Sequence, residues 1–360
     1  MPFTFPPFTQ HGPGKKYFFA LFIEQQTSSY SKPHTYCYIA ALVSISALLI
    51  ASLFSQSSIA QNYPMRNITL VIPSVVGGPT DLVGRAVAQM LIDTIGKNVT
   101  VDNRAGAGNT LGTEYTARAK PDGYTLMIGS PSSHSIAPAI NPKLSYDPLK
   151  DFTPITLLAT APLLLVAHPT LPIRNVKELI ALAKSKPNQL NFGTGGSGTT
   201  GHLTAEYFKL ATGIKAVHIP YRGVAPATVD LLSGQLQYMF HILNLGAVHV
   251  NAKQLRGLAI TGRNRSKLVP EVPTMFEAGV ANFEVYTWYG VLGPQGISKE
   301  ITEKLHTAIS SALLLPEHQK RFEQQGLDVA SAKTDEFAVL MRDETIRWAK
   351  VVKASGAKID

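Results

Sequence analysis

Short apolar strands alternate with amphipathic helices along most of this chain, and that alternation limits the fold more than any other feature. It begins at Asn67, where "ITLVIP" turns through Gly77-Gly78 and enters "TDLVGRAVAQML". From Asp81 to Ile95, Leu82, Val83, Ala86, Val87, Met90 and Leu91 share one helical face, and Gly96 is placed to stop the helix. "VTVD", "YTLMIG", "LLLVAHP" (163–169), "LNFGTG", "AVHIPY", "LQYMFH" and "LRGLAIT" continue the strands. A helix is expected over 113–120 and another in "NVKELIALAKSKP", where Asn175 and Glu178 form a capping box; 298–313 and 334–355 are further helices. This β-α rhythm predicts an α/β protein with a parallel, doubly wound sheet covered by helices on both faces. Ligands of such sheets bind beyond the carboxyl ends of the strands. Five loops there are rich in Gly, Ser or Thr: 73–80, 105–112, 129–135, 193–200 and 222–227.

Ahead of the alternation, "IAALVSISALLIASLF" (39–54) is an apolar run shorter than the ~20 residues of a typical span. It is followed by Ser58 and Ala60, small residues where a signal peptidase reads, so residues 1–60 are expected to be a signal peptide cleaved after Ala60. Its n-region is unusually long, which points to a start codon further along. The single cysteine, Cys37, falls in that segment, so the exported part has no disulfide, thiol nucleophile or Cys-based metal site. Net charge is +9, and three lysines against one glutamate in 1–60 leave +7 on the rest, spread without blocks. Nucleic acid is therefore not expected as a partner.

Chemical motifs fail one by one. "SVVGGPTDL" has no Lys-Ser/Thr after its glycines, and Asp81 would repel a phosphate. "AGAGNTLG" carries Leu111 where a dinucleotide fingerprint needs glycine. Ser197 lies between Gly195 and Thr199 and forms no nucleophile elbow. His202 and Glu206 share a helix face without a second metal-ligand pair, and Ser130, Ser132, Ser133 and His134 are contiguous without forming a triad. No catalytic set, metal site or cofactor is expected. What remains is a group of helix starts fronted by small residues. Their unpaired N–H groups and positive dipole ends suit a carboxylate or phosphate without Lys or Arg. Two such loops facing each other would clamp a small carboxylic acid.

Several stretches resemble the Bug family, the periplasmic solute receptors of tripartite tricarboxylate transporters. They include "YPMRNITLVIPSVVGGPTD", "VDNRAGAGNTLGTEYTARAKPDGYTLMIG", "LSYDPLKDFTPITLLA", "HIPYRGVAPATVDLLSGQ" and "WAKVVKASGAKID". The resemblance implies a two-lobed type II periplasmic-binding-protein fold with a ligand cleft between the lobes. Lobe one would be 61–163 plus 288–360 and lobe two 164–287, with crossings near "LLLVAHP" and "YTWYGVLGP". It also implies a monomer that binds an organic acid and delivers it to membrane permease subunits.

Matching motifs place Gly77, Gly78 and Thr80 on the carboxylate side, with Asp81 capping the helix and Ser74 and Val75 in the pocket wall, where the family commonly has Phe and Pro. Ser130 and Ser132, with His134 beside them, come from the third strand's loop. The second lobe would add Thr194, Gly196, Ser197, Thr199 and His202, then Tyr221, Gly223, Val224 and Ala225. His241 stands where many members have an acid that pairs with an amine. Protonated, it would pair with a second ligand carboxylate, so the expected ligand is an acid without an amino group, such as a dicarboxylate or aromatic acid. A residue packed at the strand end is the other reading of His241. Two further functions stay open: an exported hydrolase of esters or amides of such acids, and a receptor that signals to a membrane kinase.

Overall fold

The computed structural model describes residues 63–359; the apolar run, Cys37 and the cleavage expected after Ala60 lie outside them. The first part of the chain gives β1 (Ile68–Ile72), α1 (Pro79–Ile95), β2 (Val99–Asn103), α2 (Thr110–Ala117), β3 (Thr125–Gly129) and α3 (Ala137–Ile140). The middle gives β4 (Phe152–Ala167), α4 (Val176–Ser185), β5 (Asn191–Thr194), α5 (Thr200–Thr212), β6 (Val217–Pro220) and α6 (Val224–Leu232). Then come β7 (Tyr238–Ile242), α7 (Leu243–Asn251), β8 (Arg256–Ile260), β9 (Tyr286–Pro294), α8 (Lys299–Leu313), α9 (Pro316–Gln324), β10 (Asp328–Val329) and α10 (Thr334–Ser355).

Local chemistry sets many of these bounds. Pro79 opens α1, where a missing N–H costs no helical bond, and Gly96 closes it at φ 69°. The Asn175 side chain accepts the Glu178 N–H, and Glu178 reaches back to the Arg174 N–H. Ser298 accepts the Ile301 N–H in the same way at the start of α8.

The strands run in the order β2-β1-β3-β9-β4-β7-β5-β6, with β8 and β10 also pairing β4. Strands β1, β2 and β3 are mutually parallel, as are β5, β6 and β7. The expected all-parallel sheet is nevertheless wrong at its centre, because β9, β7, β8 and β10 meet their neighbours β3 or β4 antiparallel. The cause is β4, a 16-residue strand that serves two sheets. Phe152–Pro162 pair with β9, and Leu163–Ala167 pair with β7 and β8. Only its last part reads as a strand in sequence, since Pro154 and several threonines interrupt the apolar run; Pro154 sits at a register shift, where a missing N–H is tolerated.

Each half has its own core. In the first, Ile68, Leu70 and Ile72 pack against Val83, Val87 and Leu91 of α1 and Leu305 and Ile309 of α8. In the second, Phe192, Phe208, Tyr238, Phe240 and Phe283 form the centre. Fully burying such a side chain contributes about 1.5–3 kcal/mol. Helix α10 packs against both halves. Phe337 and Met341 pack with Phe152 and Trp288, while Trp348, Val351 and Val352 join the Phe192–Phe240 cluster. Residues 288–360 therefore do not pack with the first half alone.

Candidate functional site

The turn after β1 is built around one buried charge. Asp81, the third residue of α1, is 1% exposed. Its Oδ2 accepts the Gly77 N–H and Arg85 Nε–H, both at 2.9 Å, and its Oδ1 accepts Asn103 Nδ2–H at 2.9 Å. Burial by itself would raise the carboxyl pKa; the bonds from Arg85, Gly77 and Asn103 more than reverse this and hold it below its ordinary 3.8. The helix cap is Gly78, not Asp81, whose carboxylate reaches back instead to the turn. Gly77 adopts φ +76°, which a side chain would strain. Ser74 is buried, with its carbonyl held by Asn103, and Thr80 is buried in the first helical turn. Val75 and Val76 are left outward, 49% and 70% exposed.

Beyond β3 the chain enters a π-helical turn, Ser132–Ile136. Ser130 and Ser132 are buried. His134 is buried more deeply still. Its ring is fully buried, stands edge-on to Phe152 at 4.8 Å, and meets the Ser133 hydroxyl at 2.8 Å through Nδ1. Burial pushes its pKa down to about 3, so it is a neutral core residue, contrary to the expectation from sequence.

In the second half, the loop after β5 is fixed by hydroxyls and histidine rings. Thr194 Oγ1 lies 2.6 Å from His218 Nε2 and accepts the Gly196 N–H. Thr199 caps α5, accepting the His202 N–H and donating its hydroxyl to the Gly196 carbonyl at 2.7 Å. His202 Nδ1 accepts the Gly198 N–H at 3.1 Å, and its ring stacks on His218 with centroids 3.9 Å apart. Ser197 is partly exposed on the same loop. The adjoining loop is tied on by Tyr221 N–H to the Thr194 carbonyl and Gly223 N–H to the Gly195 carbonyl. Tyr221 donates its hydroxyl to Asp230, and burial together with that carboxylate pushes the phenol up to about 12. Val224 is half-buried and Ala225 exposed.

His241 also departs from expectation. It is 1% exposed, with Nδ1 3.0 Å from the Ile242 carbonyl and Nε2 2.8 Å from the Thr228 hydroxyl. The Ile242 carbonyl only accepts, so Nδ1 carries the proton; the Thr228 hydroxyl is also 2.8 Å from the Val224 carbonyl, and its single proton serves either that oxygen or Nε2. Burial lowers the pKa to about 4, and nearby His249 adds to this. A neutral ring with both nitrogens engaged is no partner for a ligand carboxylate, which corrects the expected ion pair.

The loops of the two halves touch. The Thr200 N–H, at the start of α5, donates to Ser132 Oγ at 3.2 Å. A Cβ on Gly108 would lie 3.3 Å from the Ser197 carbonyl oxygen, and one on Gly223 would lie 3.9 Å from Val75 Cγ2. Gly108 belongs to the turn 107–109, whose three residues all have positive φ. The composition of 105–112 marks this turn as a loop, but its place against Ser197 depends on packing between the halves. The roles of Asn103 and Thr228 likewise carry no local signal. An open concavity of about 580 Å³, lined by Arg66, Tyr115, Arg118 and Lys120 among others, lies on the outer side of α2 and involves none of these contacts.

A family model described as "Tripartite tricarboxylate transporter family receptor" matches residues 83–357. The chain belongs to that receptor family. Protein BugT of Bordetella pertussis is 38% identical over 303 residues, covering 83% of this chain and 92% of BugT. Among solved structures, R. palustris Rpa4515 with adipate shares 32% identity with a TM-score of 0.78, over 83% of this chain and all of that one. MatC from Rhodopseudomonas palustris with bound malate shares 33% identity with a TM-score of 0.75, over 81% of this chain and all of that one. The receptor is thus a solute-binding protein of the Bug type and not an enzyme, and the hydrolase reading is set aside. Receptors of this family are periplasmic. Among the described residues, no helix is long and apolar enough to cross a membrane, and no group of His, Cys, Asp or Glu is placed to hold a metal.

Proposed function

We propose that the receptor binds a small organic acid through its carboxylate, in the cleft where the loops of the two halves meet, and delivers it as a monomer to the membrane permease subunits of a tripartite tricarboxylate transporter. One observation carries this reading: the loops of the two halves meet at Thr200 and Ser132, Gly108 and Ser197, and Gly223 and Val75, and two of these loops lead through glycines into α1 and α5. Backbone N–H groups at such starts favour an anion without a cationic side chain. The adipate and malate bound to the two related structures support the ligand class.

Gly77, Gly78 and Thr80 would border the ligand from the first lobe, with the Gly77 N–H committed to Asp81 and the Gly78 N–H to the Val75 carbonyl, and Ser130 and Ser132 would lie beside them. Gly196, Ser197, Gly223, Val224 and Ala225 would serve it from the second. Asp81, Thr194, Thr199, His202 and Tyr221 act at one remove by fixing these loops. The lobes would be 61–163 plus the chain from 288, and 164–287, with the end of α10 seated in the second. A thermal-shift screen of organic acids, run beside an assay for ester hydrolysis, tests the reading. A ligand at 100 times its dissociation constant stabilises the folded state by about 2.7 kcal/mol. An acid that does so without turnover supports the receptor; catalytic hydrolysis with no stabilising acid would overturn it. Light scattering that returns a dimer mass would correct the monomer.

A further inference from the structure

We infer that the end of the second half remote from the ligand loops docks on an anionic phospholipid surface through Lys184, Lys186, Lys215 and Lys253.

Charge is divided unequally between the halves. Residues 164–287 hold twelve Lys or Arg against six Asp or Glu, whereas 61–163 and 288–360 together hold eighteen against seventeen. Nearly all of the excess positive charge therefore lies on the second half. No run of the sequence displays it; the topology collects it. Strands β5, β6 and β7 are parallel, and β4 runs antiparallel to β7 and β8. All four of β5–β8 thus start, and β4 ends, at one pole. The segments that reach this pole are 168–172, 184–190, 209–217, 233–238 and 251–257. They carry Lys184, Lys186, Lys209, Lys215, Lys253 and Arg256, and no Asp or Glu. Lys209 is paired with Glu206, and Arg256 donates to the Leu171 carbonyl at 3.1 Å. The other four are exposed, and among the described residues none of them takes part in an ion pair.

Three of these four stand close together. The Asn188 N–H donates to the Lys215 carbonyl at 3.1 Å and the Gln189 N–H to the Lys186 carbonyl at 3.2 Å, and a Cβ on Gly213 would lie 4.0 Å from Lys184 Cε. Where β1 and β3 begin in the first half, by contrast, Arg66 is paired with Asp122 at 2.9 Å.

A lysine in the last turn of a helix offsets its exposed carbonyls. Lys186, Lys215 and Lys253 lie past the ends of α4, α5 and α7, so that role does not account for them. The chain around them is polar and exposed: Ser185, Asn188, Gln189 and Gln254. The large exposed apolar side chains of these segments are Leu210 and Val217, at 42% and 39%, and no exposed aromatic joins them. Protein interfaces are depleted in lysine and rely on buried aromatic and Arg anchors. Flexible lysines among small polar groups suit a diffuse layer of phosphate headgroups instead, to which each adds its own attraction. Receptors of this family are periplasmic and work with a membrane transporter, so a bilayer lies within reach. The loops 194–202 and 220–227 sit at the opposite ends of β5 and β6, so a receptor held by this pole leaves them free of the lipid.

The test is co-sedimentation with vesicles of phosphatidylglycerol and phosphatidylcholine in equal parts, against phosphatidylcholine alone, at low ionic strength. Binding to the anionic vesicles only is expected, with release in about 0.5 M salt, where screening leaves a reach of a few ångströms. Lys184→Glu, Lys186→Glu and Lys215→Glu together should weaken partition on the order of a hundredfold. Lys143→Glu, Lys304→Glu and Lys320→Glu remove the same charge from exposed positions of the first half and should leave most of the binding. Equal losses in the two triple variants would reduce the effect to net charge and overturn the inference, as would equal binding to both vesicles or binding to neither. Retention on polyglutamate without binding to vesicles would assign the pole to an acidic protein and overturn the lipid. Both triple variants should unfold at the parent's temperature, since all six lysines are exposed. The organic-acid reading is tested by its own ligands and stands or falls apart from this one.

Discussion

The turns after β1 and β5 have the same outline, a strand, a run of glycines and a helix start, but they are held in opposite ways. The first is locked by a buried carboxylate with three donors from its own half. The second is locked by two threonine hydroxyls and a pair of stacked histidines, with no carboxylate. A charge clamp concentrates the holding energy in one residue, whereas a network of several hydrogen bonds distributes it over many. The two loops should therefore fail differently.

The largest effect is expected from Asp81→Ala. Three donors lose their acceptor, and the change should lower stability by about 3 kcal/mol. Urea unfolding followed by the fluorescence of Trp288 and Trp348, both buried, would measure it. A variant as stable as the parent would show that the carboxylate does not hold the turn.

Acid comes next, and it acts on both halves. His134 in the first and His241 in the second have folded pKa values of about 3 and about 4, below the ordinary 6.5. The unfolded chain thus binds more protons between pH 6.5 and 4, so stability is full above that window and falls as pH drops through it. The slope is at most about 1.4 kcal/mol per pH unit for each ring. His241→Leu should flatten the profile by one proton, with no change in shape counting against a neutral buried ring. Below pH 3.8 protonation of Asp81 adds a further loss, because its folded pKa is depressed.

A smaller effect belongs to the loop after β5. Thr199→Ala removes the cap of α5 and should cost about 1 kcal/mol; a loss matching that of Asp81→Ala would erase the contrast between the two turns. Smallest is Ser132→Ala. The hydroxyl accepts the Thr200 N–H across the junction, so its loss should change stability by under about 1 kcal/mol. Stopped-flow release of a bound acid should be faster in this variant; an unchanged rate would mean the contact does not hold the halves together.

Much of this arrangement is written in local sequence. Helix α1 with its Gly96 stop, the Asn175 cap and the full extent of α10 follow from periodicity and end residues. The glycine-rich loops of the candidate site are legible for the same reason. The start of β4 is not, since its partner β9 lies more than 100 residues away and only pairing makes "FTPITLLATAP" a strand. Nor is the direction in which a side chain faces at a strand's end. His134 and His241 look like site residues by position, yet Phe152 and Trp288 enclose one and Thr228 engages the other, and each of those neighbours lies on a different element, Trp288 more than 150 residues away. Asp81 reads as a helix cap from its motif; that its carboxylate instead holds the turn and ties down β2 depends on Gly77 and Asn103.

Helix α10, at 22 residues, is anchored in one core by Phe337 and Met341 and in the other by Trp348, Val351 and Val352. A stiff rod glued at both ends acts as a splint across a joint. It permits twisting about its own length and resists bending across it. Any relative movement of the two halves therefore strains the packing of aromatic or aliphatic side chains at one end of this rod or the other.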